Sequence, residues 1–468
     1  MSGATTSRGR RLRVAVVGAG PAGYYTTDFL LRQRAVLDLS IEVDLFERLP
    51  SPHGLVRSGV APDHQSIKKV TKAFDRIASD PRTRYFGNVT VGTDLTHAEL
   101  MQHYDQVVYT TGAATDRKLG VEGEELAGSH AATAFVGWYN GHPDFTSERV
   151  DLSTPRAVVV GLGNVAMDVA RVLIQMPASL ASTDITDYAL EALSKSQVRE
   201  VVLLGRRGPA EAAFSPREIQ DIDELEGVEL TIDQPESTLA LDATSFSGDA
   251  RKNVEFLQSV ALRTQREAPR RVRLRFLSSP VALEGTGQVE RIKLERNRLV
   301  ERQGRVSAAG TGEYELMKTG LVLRSIGYFG SALPGVPFDT TLGVICNDRG
   351  RVTATPGGAI IPRLYVAGWI KRGPVGLIGT NKTDAKETVD HMLADVESGP
   401  RHNASPAEVI TKLLNDRGVR VVSYADWRHL DELEVAAGIQ RGKVREKFWS
   451  VASMLQALDA RAPVAADG

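Results

Sequence analysis

Val14-Ala15-Val16-Val17-Gly18-Ala19-Gly20-Pro21-Ala22-Gly23 decides the fold of this chain. A short apolar run, read as a buried strand, ends in a glycine-rich turn that opens a predicted helix. Small residues in such a turn let backbone approach a pyrophosphate, and the helix N-terminus adds N–H groups and a positive dipole. One turn of this kind is a weak signal. About 140 residues later it recurs: Ala157-Val158-Val159-Val160 leads into Gly161-Leu162-Gly163-Asn164-Val165-Ala166. Two turns in the same strand–turn–helix context imply two dinucleotides, and two dinucleotides in one chain suggest electron transfer between them.

The next strand in each unit selects the ligand. After the first turn, Ile41-Glu42-Val43-Asp44-Leu45-Phe46 ends at Glu47. A carboxylate there accepts hydrogen bonds from ribose hydroxyls and repels a 2′-phosphate, which suits FAD or NAD; an ordinary strand-end acid is the alternative. After the second turn, Val201-Val202-Leu203-Leu204-Gly205 leads to Arg206 and Arg207. Guanidinium groups bind phosphate through charge-assisted contacts, so this site reads as NADP(H), with a solvated turn as the alternative. Forty residues separate Ala166 from Arg206, against roughly twenty in the usual unit. The stretch 176–197 is therefore expected to be an inserted helical excursion.

Composition narrows the class. The chain has 468 residues, 42% of them hydrophobic, and a net charge of −1. That length predicts two or three domains, and the balance gives no global field favouring nucleic acid or membrane. Cys346 is the only cysteine. This excludes a disulfide framework, a thiolate-ligated cluster and a dithiol–disulfide reductase mechanism within this chain. No apolar run reaches the roughly 18 residues of a membrane span, and no metal site is expected. The start is basic, with Arg8, Arg10, Arg11 and Arg13, and reads as a tail or as a short transit peptide; a cytoplasmic protein is the expectation.

The fold class expected is α/β, with two Rossmann-like dinucleotide-binding domains and the NADP domain inserted into the FAD domain. The first domain takes residues 12–113 and 321–400, the second 114–320, and a helical extension 401–468. The return into the first domain is read from Leu321-Val322-Leu323-Arg324 and from Arg363-Leu364-Tyr365-Val366-Ala367-Gly368-Trp369. Both nucleotides would face one interdomain cleft. Charge is partitioned in the middle: residues 218–250 hold ten acids and no base, and residues 251–275 hold eight bases against Glu255 and Glu267. The basic segment reads as a solvated face or as a docking surface for an acidic protein.

Four segments are specific enough to carry a resemblance: Gly18–Tyr25, Pro52–His64, Gly205–Phe214 and Gly368–Thr380, with Phe135–Asn140 in support. On these the chain resembles ferredoxin–NADP⁺ reductases of the adrenodoxin reductase type, including their bacterial members. The resemblance implies FAD in the first domain, with Gly18, Gly20, Ala22, Gly23, Glu47, Leu55 and Val91 around it. It places Trp369, Gly376, Leu377 and Ile378 along the isoalloxazine ring. It implies NADPH in the second domain, its pyrophosphate on Leu162, Gly163, Asn164 and Val165 and its 2′-phosphate and ribose by Arg206, Arg207 and Glu218, with Arg117 a further contact. It also implies an acidic iron–sulfur ferredoxin docking at Arg263 and Arg266. The family pairs the histidine here numbered His64 with a glutamate, and this chain has Asp221 at that position, so a shorter arm or a bridging water is expected.

The expected reaction is hydride transfer from NADPH to flavin, then single-electron steps to the ferredoxin. The cofactor carries the chemistry and the protein supplies placement. His53 and His64 are read as tuning groups at the flavin or as structural histidines. An NADPH-dependent diaphorase acting on small acceptors is the alternative function.

Overall fold

The computed structural model describes residues 10–32, 39–264, 267–302, 304–398 and 402–460. Two parallel sheets organise it. The first runs in the order Asn347–Asp348, Arg351–Thr353, Ile360–Val366, Gln106–Tyr109, Arg10–Val17, Leu39–Phe46, Thr83–Phe86, and its last five strands are parallel. Along Arg10–Val17 the side chains alternate between two cores. Val14 and Val16 join one with Tyr24, Phe74 and Met392; Ala15 and Val17 join the other with Phe46, Tyr104 and Ile370. Val14–Val17 are covered on both faces and all four are apolar, which is why they read as a continuous run; the buried Arg13 before them pairs with Asp44.

The second sheet has the order Ser129–Ala131, Leu321–Arg324, Arg156–Val160, Glu200–Leu204, Arg270–Arg275, Val228–Ile232, and every pairing in it is parallel. One face, with Ala157 and Val159, packs under helices such as Asn164–Ile174. The other, with Val158 and Val160, is covered by a three-stranded antiparallel sheet formed by Ser278–Glu284, Arg291–Arg302 and Arg305–Lys318. This wing, absent from the sequence expectations, buries Leu283, Ile292, Leu294 and Met317.

One boundary is corrected. Leu321–Arg324, read as the return into the first unit, pairs with Arg156–Val160 in the second sheet. The chain crosses back after it. Thr115–Asp116 and Tyr328–Phe329 pair antiparallel, so both crossings run through one two-stranded ribbon. The excursion is present as helices Pro177–Leu180 and Asp187–Ser194.

The C-terminal helices are more than an appendage. Ala407–Asp416 buries Ile410 and Leu414 in the first unit's core. Tyr424–Gln440 and Val451–Asp459 enclose Trp427, Leu430, Met454 and Leu458. They then grip both units. Glu434 pairs with Arg57 of the first at 2.5 and 2.8 Å. Lys447 Nζ reaches Asp184 (2.9 Å) and the Asn140 carbonyl (3.1 Å) of the second.

Candidate functional site

In the first turn each glycine has its own geometric reason. Gly18 has φ +111°, and a Cβ there would lie 2.6 Å from the Thr110 carbonyl oxygen; one on Gly23 would lie 2.0 Å from the Gly18 oxygen. Gly20 differs: a Cβ would meet nothing within 4 Å. Two glycines close the turn onto strand and helix, and the middle one leaves open space at the N-terminus of helix Pro21–Arg32, where a pyrophosphate fits. Glu47 accepts from the Ala19 N–H (3.0 Å) and the Leu49 N–H (3.2 Å), which aims its carboxylate at the turn. Burial pushes its pKa up, and the two N–H bonds oppose that shift.

Other expected contacts gather here. The His53 N–H donates to the Ala19 carbonyl (2.8 Å). A Cβ on Gly54 would lie 3.2 Å from Gly20 Cα, which brings helix Leu55–Ser58 across the turn. Val91 is buried in the core with Val17 and Phe46. Gly368 abuts Ala22, where a Cβ would lie 2.6 Å from the Ala22 Cβ, so Trp369 follows directly beside the turn. Trp369 Nε1 is buried without a hydrogen-bond partner among the described residues, and its ring centroid is 5.2 Å from that of Tyr328. Gly376 has φ +85°; Leu377 is exposed and Ile378 packs on the first core. Lys371 is not free to face a ligand: its Nζ pairs with Glu387 (2.9 Å) and Asp384 (3.1 Å).

The second turn repeats the geometry. Gly161 has φ +130° and its Cβ would lie 2.0 Å from the Ser325 oxygen, whereas a Cβ on Gly163 would meet nothing within 4 Å. The Leu162 carbonyl accepts from Ala213 N–H (2.9 Å), and Asn164 Oδ1 accepts from Ser215 N–H (2.8 Å). These bonds tie the loop after Leu204, which carries Arg206 and Arg207, to the turn; at its start a Cβ on Gly205 would lie 2.3 Å from Leu162 Cδ1. The Arg206 guanidinium is exposed and has no ion pair among the described residues; Arg207 is half-buried, with Nη2 3.5 Å from the Glu211 carbonyl. Arg117 lies on the ribbon with its guanidinium 5.2 Å from the centre of the Phe329 ring.

An ionic cluster joins the two units. Arg171 donates to Asp63 (2.7 Å), Asp168 (2.5 Å) and Glu218 (3.3 Å). His64 lies 3.6 Å from Asp168 and 3.9 Å from Asp221. Both separations are ion-pair distances, too long for direct hydrogen bonds. The shorter arm at position 221 is taken up by Arg217, at 2.5 Å from the other carboxylate oxygen. Asp221 thus stays at ion-pair distance from His64, while Glu218 pairs with Arg171 and lies within 4.8 Å of His64. Burial pushes Asp168 and Glu218 up, Glu218 further because Asp168 is near; Asp63, despite burial, is held low by Arg171. One ligand atom each from His64, Asp168 and Glu218 lie within 4.8 Å of one another, but Arg171 already supplies the positive charge. His53 sits apart, buried between Tyr24, Phe74 and Trp427, with Nε2 3.3 Å from Asp75; burial pushes its pKa down. Asp63 and Arg171 were missed by sequence reasoning. The signal available was Arg171 standing three positions after Asp168 on one helix face.

The basic run does not form an open patch. Arg263 pairs with Asp223 (2.7 Å), Arg271 with Glu229 (2.8 Å), and Arg273 with Asp233 (3.2 Å) and Glu200. The acidic and basic segments that looked separate in sequence neutralise each other in adjacent strands and helices. Arg266 lies outside the described residues.

Fold and site define an oxidoreductase class with two nucleotide sites. The family described as pyridine nucleotide-disulphide oxidoreductase matches residues 12–221. The NADPH-ferredoxin reductase FprA of Mycobacterium tuberculosis is 45% identical over 453 residues, covering 95% of this chain and 98% of that protein. The mitochondrial NADPH:adrenodoxin oxidoreductase of Arabidopsis thaliana is 39% identical over 470 residues, 97% of this chain and 96% of that one. The solved structure of M. tuberculosis FprA in complex with NADPH superposes with a TM-score of 0.92 at 44% identity, covering 96% of this chain and all of that one. This chain belongs to the family of adrenodoxin reductase-type NADPH–ferredoxin reductases.

Proposed function

We propose that the protein is an FAD-containing NADPH:ferredoxin oxidoreductase. The observation that carries this reading is the contrast between two equivalent glycine turns, one beside the Glu47 carboxylate and one beside the Arg206 guanidinium, which has no ion pair among the described residues. When bound, FAD and NADPH would supply the redox chemistry: the nicotinamide would give up two electrons and a proton as hydride, the two electrons would leave one at a time and the proton would go to solvent. The chain's residues bind and orient. Gly20 and Gly163 leave room for the two pyrophosphates. Glu47 receives the adenosine ribose of FAD, and Leu55, Val91, Trp369, Gly376, Leu377 and Ile378 line the rest of that site. Arg206 and Arg207 take the 2′-phosphate of NADPH, with Arg117 on the ribbon beside it. His64, Asp168, Glu218, Asp221 and Arg171 hold the units in register across the cleft.

The partner we propose is an acidic iron–sulfur ferredoxin. Arg263, exposed two residues beyond helix Gly248–Ala261 and paired with Asp223, is the candidate for exchanging that partner for an acid of the ferredoxin. The lone, buried Cys346 suits a reducing compartment, and we place the protein in the cytoplasm. The test is NADPH-driven cytochrome c reduction with and without added ferredoxin. Ferredoxin should raise the rate by an order of magnitude or more. Equal rates would assign a diaphorase using small acceptors instead.

A further inference from the structure

The loop that carries the arginine pair is held in place by the three-stranded wing. Its three successive carbonyls all find partners there. Gly205 O accepts from Ser278 N–H (3.0 Å) and Arg207 O from Leu277 N–H (3.0 Å). Arg206 O accepts from the Asn297 side chain, whose Nδ2 lies 2.9 Å away. Two of these bonds are backbone to backbone and would survive a change of side chain; the one on Arg206 would not.

Asn297 is built for this contact. It is buried, at 5% exposure, in strand Arg291–Arg302, where the pairing register with Arg305–Lys318 shifts between Glu295 and Asn297. Its Nδ2 also donates to Ser279 Oγ (2.7 Å), which fixes the amide's orientation. Its backbone N–H donates to Leu277 O (2.7 Å). Leu277 has φ +51°, a left-handed conformation that a branched side chain rarely adopts. Such a conformation persists only where surrounding bonds over-determine it, and it marks positions that serve a geometric purpose. Here that purpose is visible: Leu277 and Asn297 together anchor Arg206 and Arg207 by their backbones.

A guanidinium reads phosphate by direction as well as charge, so the backbone beneath it must not rotate. The Arg206 guanidinium has no ion pair among the described residues, so the bond that Asn297 makes to the Arg206 carbonyl is the side-chain constraint on this residue. We propose that Asn297 is a positioning residue for nucleotide selectivity, holding the Arg206 main chain so that its guanidinium meets a 2′-phosphate. This rests on the reading of Arg206 as a 2′-phosphate ligand.

The experiment compares Asn297→Ala, Asn297→Asp and Arg206→Ala with the unmodified holoenzyme. Isothermal titration calorimetry with 2′,5′-ADP and 5′-AMP reads the adenosine site without turnover, and KM and kcat are measured with NADPH and NADH. Losing one hydrogen bond that orients a charged ligand corresponds to roughly tenfold in affinity. Both Asn297 variants should weaken 2′,5′-ADP binding and raise the KM for NADPH by about that factor. 5′-AMP binding, the KM for NADH and kcat with NADPH should stay within about twofold. An unchanged ratio of 2′,5′-ADP to 5′-AMP affinity in both variants, alongside its collapse in Arg206→Ala, overturns the role of Asn297 alone. An unchanged ratio in Arg206→Ala overturns the phosphate assignment itself. Should the Asn297 variants fail to fold, Ser279→Ala removes the amide's second partner; it should lower the ratio about two- to threefold, and no change there refutes the proposal.

Discussion

Replacing Glu434 by alanine should uncouple the C-terminal helices from the first unit. The Glu434 side chain is fully buried and the Arg57 side chain is 8% exposed; they meet in a bidentate pair. Glu434 also takes Arg445 (3.1 Å) and the Phe448 N–H (2.9 Å). Removing one partner of a buried pair leaves an uncompensated charge and costs about 3–5 kcal/mol. For a cooperative unit of 150–250 residues each kcal/mol lowers Tm by roughly 2–4 °C, so the drop should be roughly 6–20 °C. Melting followed by circular dichroism measures it. The double variant Arg57→Met/Glu434→Met replaces both charges with apolar groups, and we expect it to recover more than half of the loss, although the Phe448 N–H stays unpaired and Arg445 keeps only Asp431, at 2.6 Å. The reasoning fails if Glu434→Ala melts within 2 °C of the parent, or if the double variant loses the sum of the two single losses.

Gly20→Val should lower the flavin content of the purified protein several-fold without lowering the Tm of flavin-free protein, because its side chain enters open space; Gly18→Val, which meets the Thr110 carbonyl, should lower both. Asp116, on the interdomain ribbon, is pushed up to about 7 by burial, with the Thr133 N–H and Arg324 opposing. Its folded pKa lies above its unfolded one, so the stability it contributes is intact near pH 4 and is lost as pH rises to about 7. Asp116→Asn should therefore match the parent at pH 4 and exceed it at pH 8 by up to roughly 4 kcal/mol, read from denaturation at both pH values; a gap that does not change with pH contradicts this. Ferredoxin reduction should slow as salt rises, and Arg263→Ala should raise the KM for ferredoxin while leaving that for NADPH alone; an unchanged KM moves the docking surface elsewhere.

The two nucleotide turns were legible because every part of the signal is local. Val14–Val17 and Ala157–Val160 are apolar at each position since both faces are buried, and the glycines follow within six residues. The same property misled at Leu321–Arg324: a doubly buried parallel strand looks alike in either sheet, and nothing local says which neighbour it pairs with. The wing was invisible for the opposite reason. Arg305–Lys318 is exposed along most of its length and carries no clear alternation, so its pairing depends on Arg291–Arg302 rather than on its own pattern. The cleft cluster of Asp63, His64, Asp168, Arg171 and Glu218 assembles from three separated segments; the resemblance singled out His64 and Glu218, whereas nothing local marked Asp63, Asp168 and Arg171 as their neighbours. The charge runs at 218–250 and 251–275 looked like surfaces because a sequence hides the salt bridges that adjacent strands make between them.

The central claim is that the two adenosine pockets differ in what they hold at the ribose 2′ position. Anaerobic titration of the oxidised holoenzyme with NADPH and with NADH, in the parent and in Arg206→Ala/Arg207→Ala, tests it directly. Removing each charge-assisted hydrogen bond to the phosphate should cost about 1.5–3 kcal/mol. The account predicts that the parent is reduced by far less NADPH than NADH, and that the double variant loses most of this preference while its response to NADH is preserved. Equal losses with both nucleotides would contradict it.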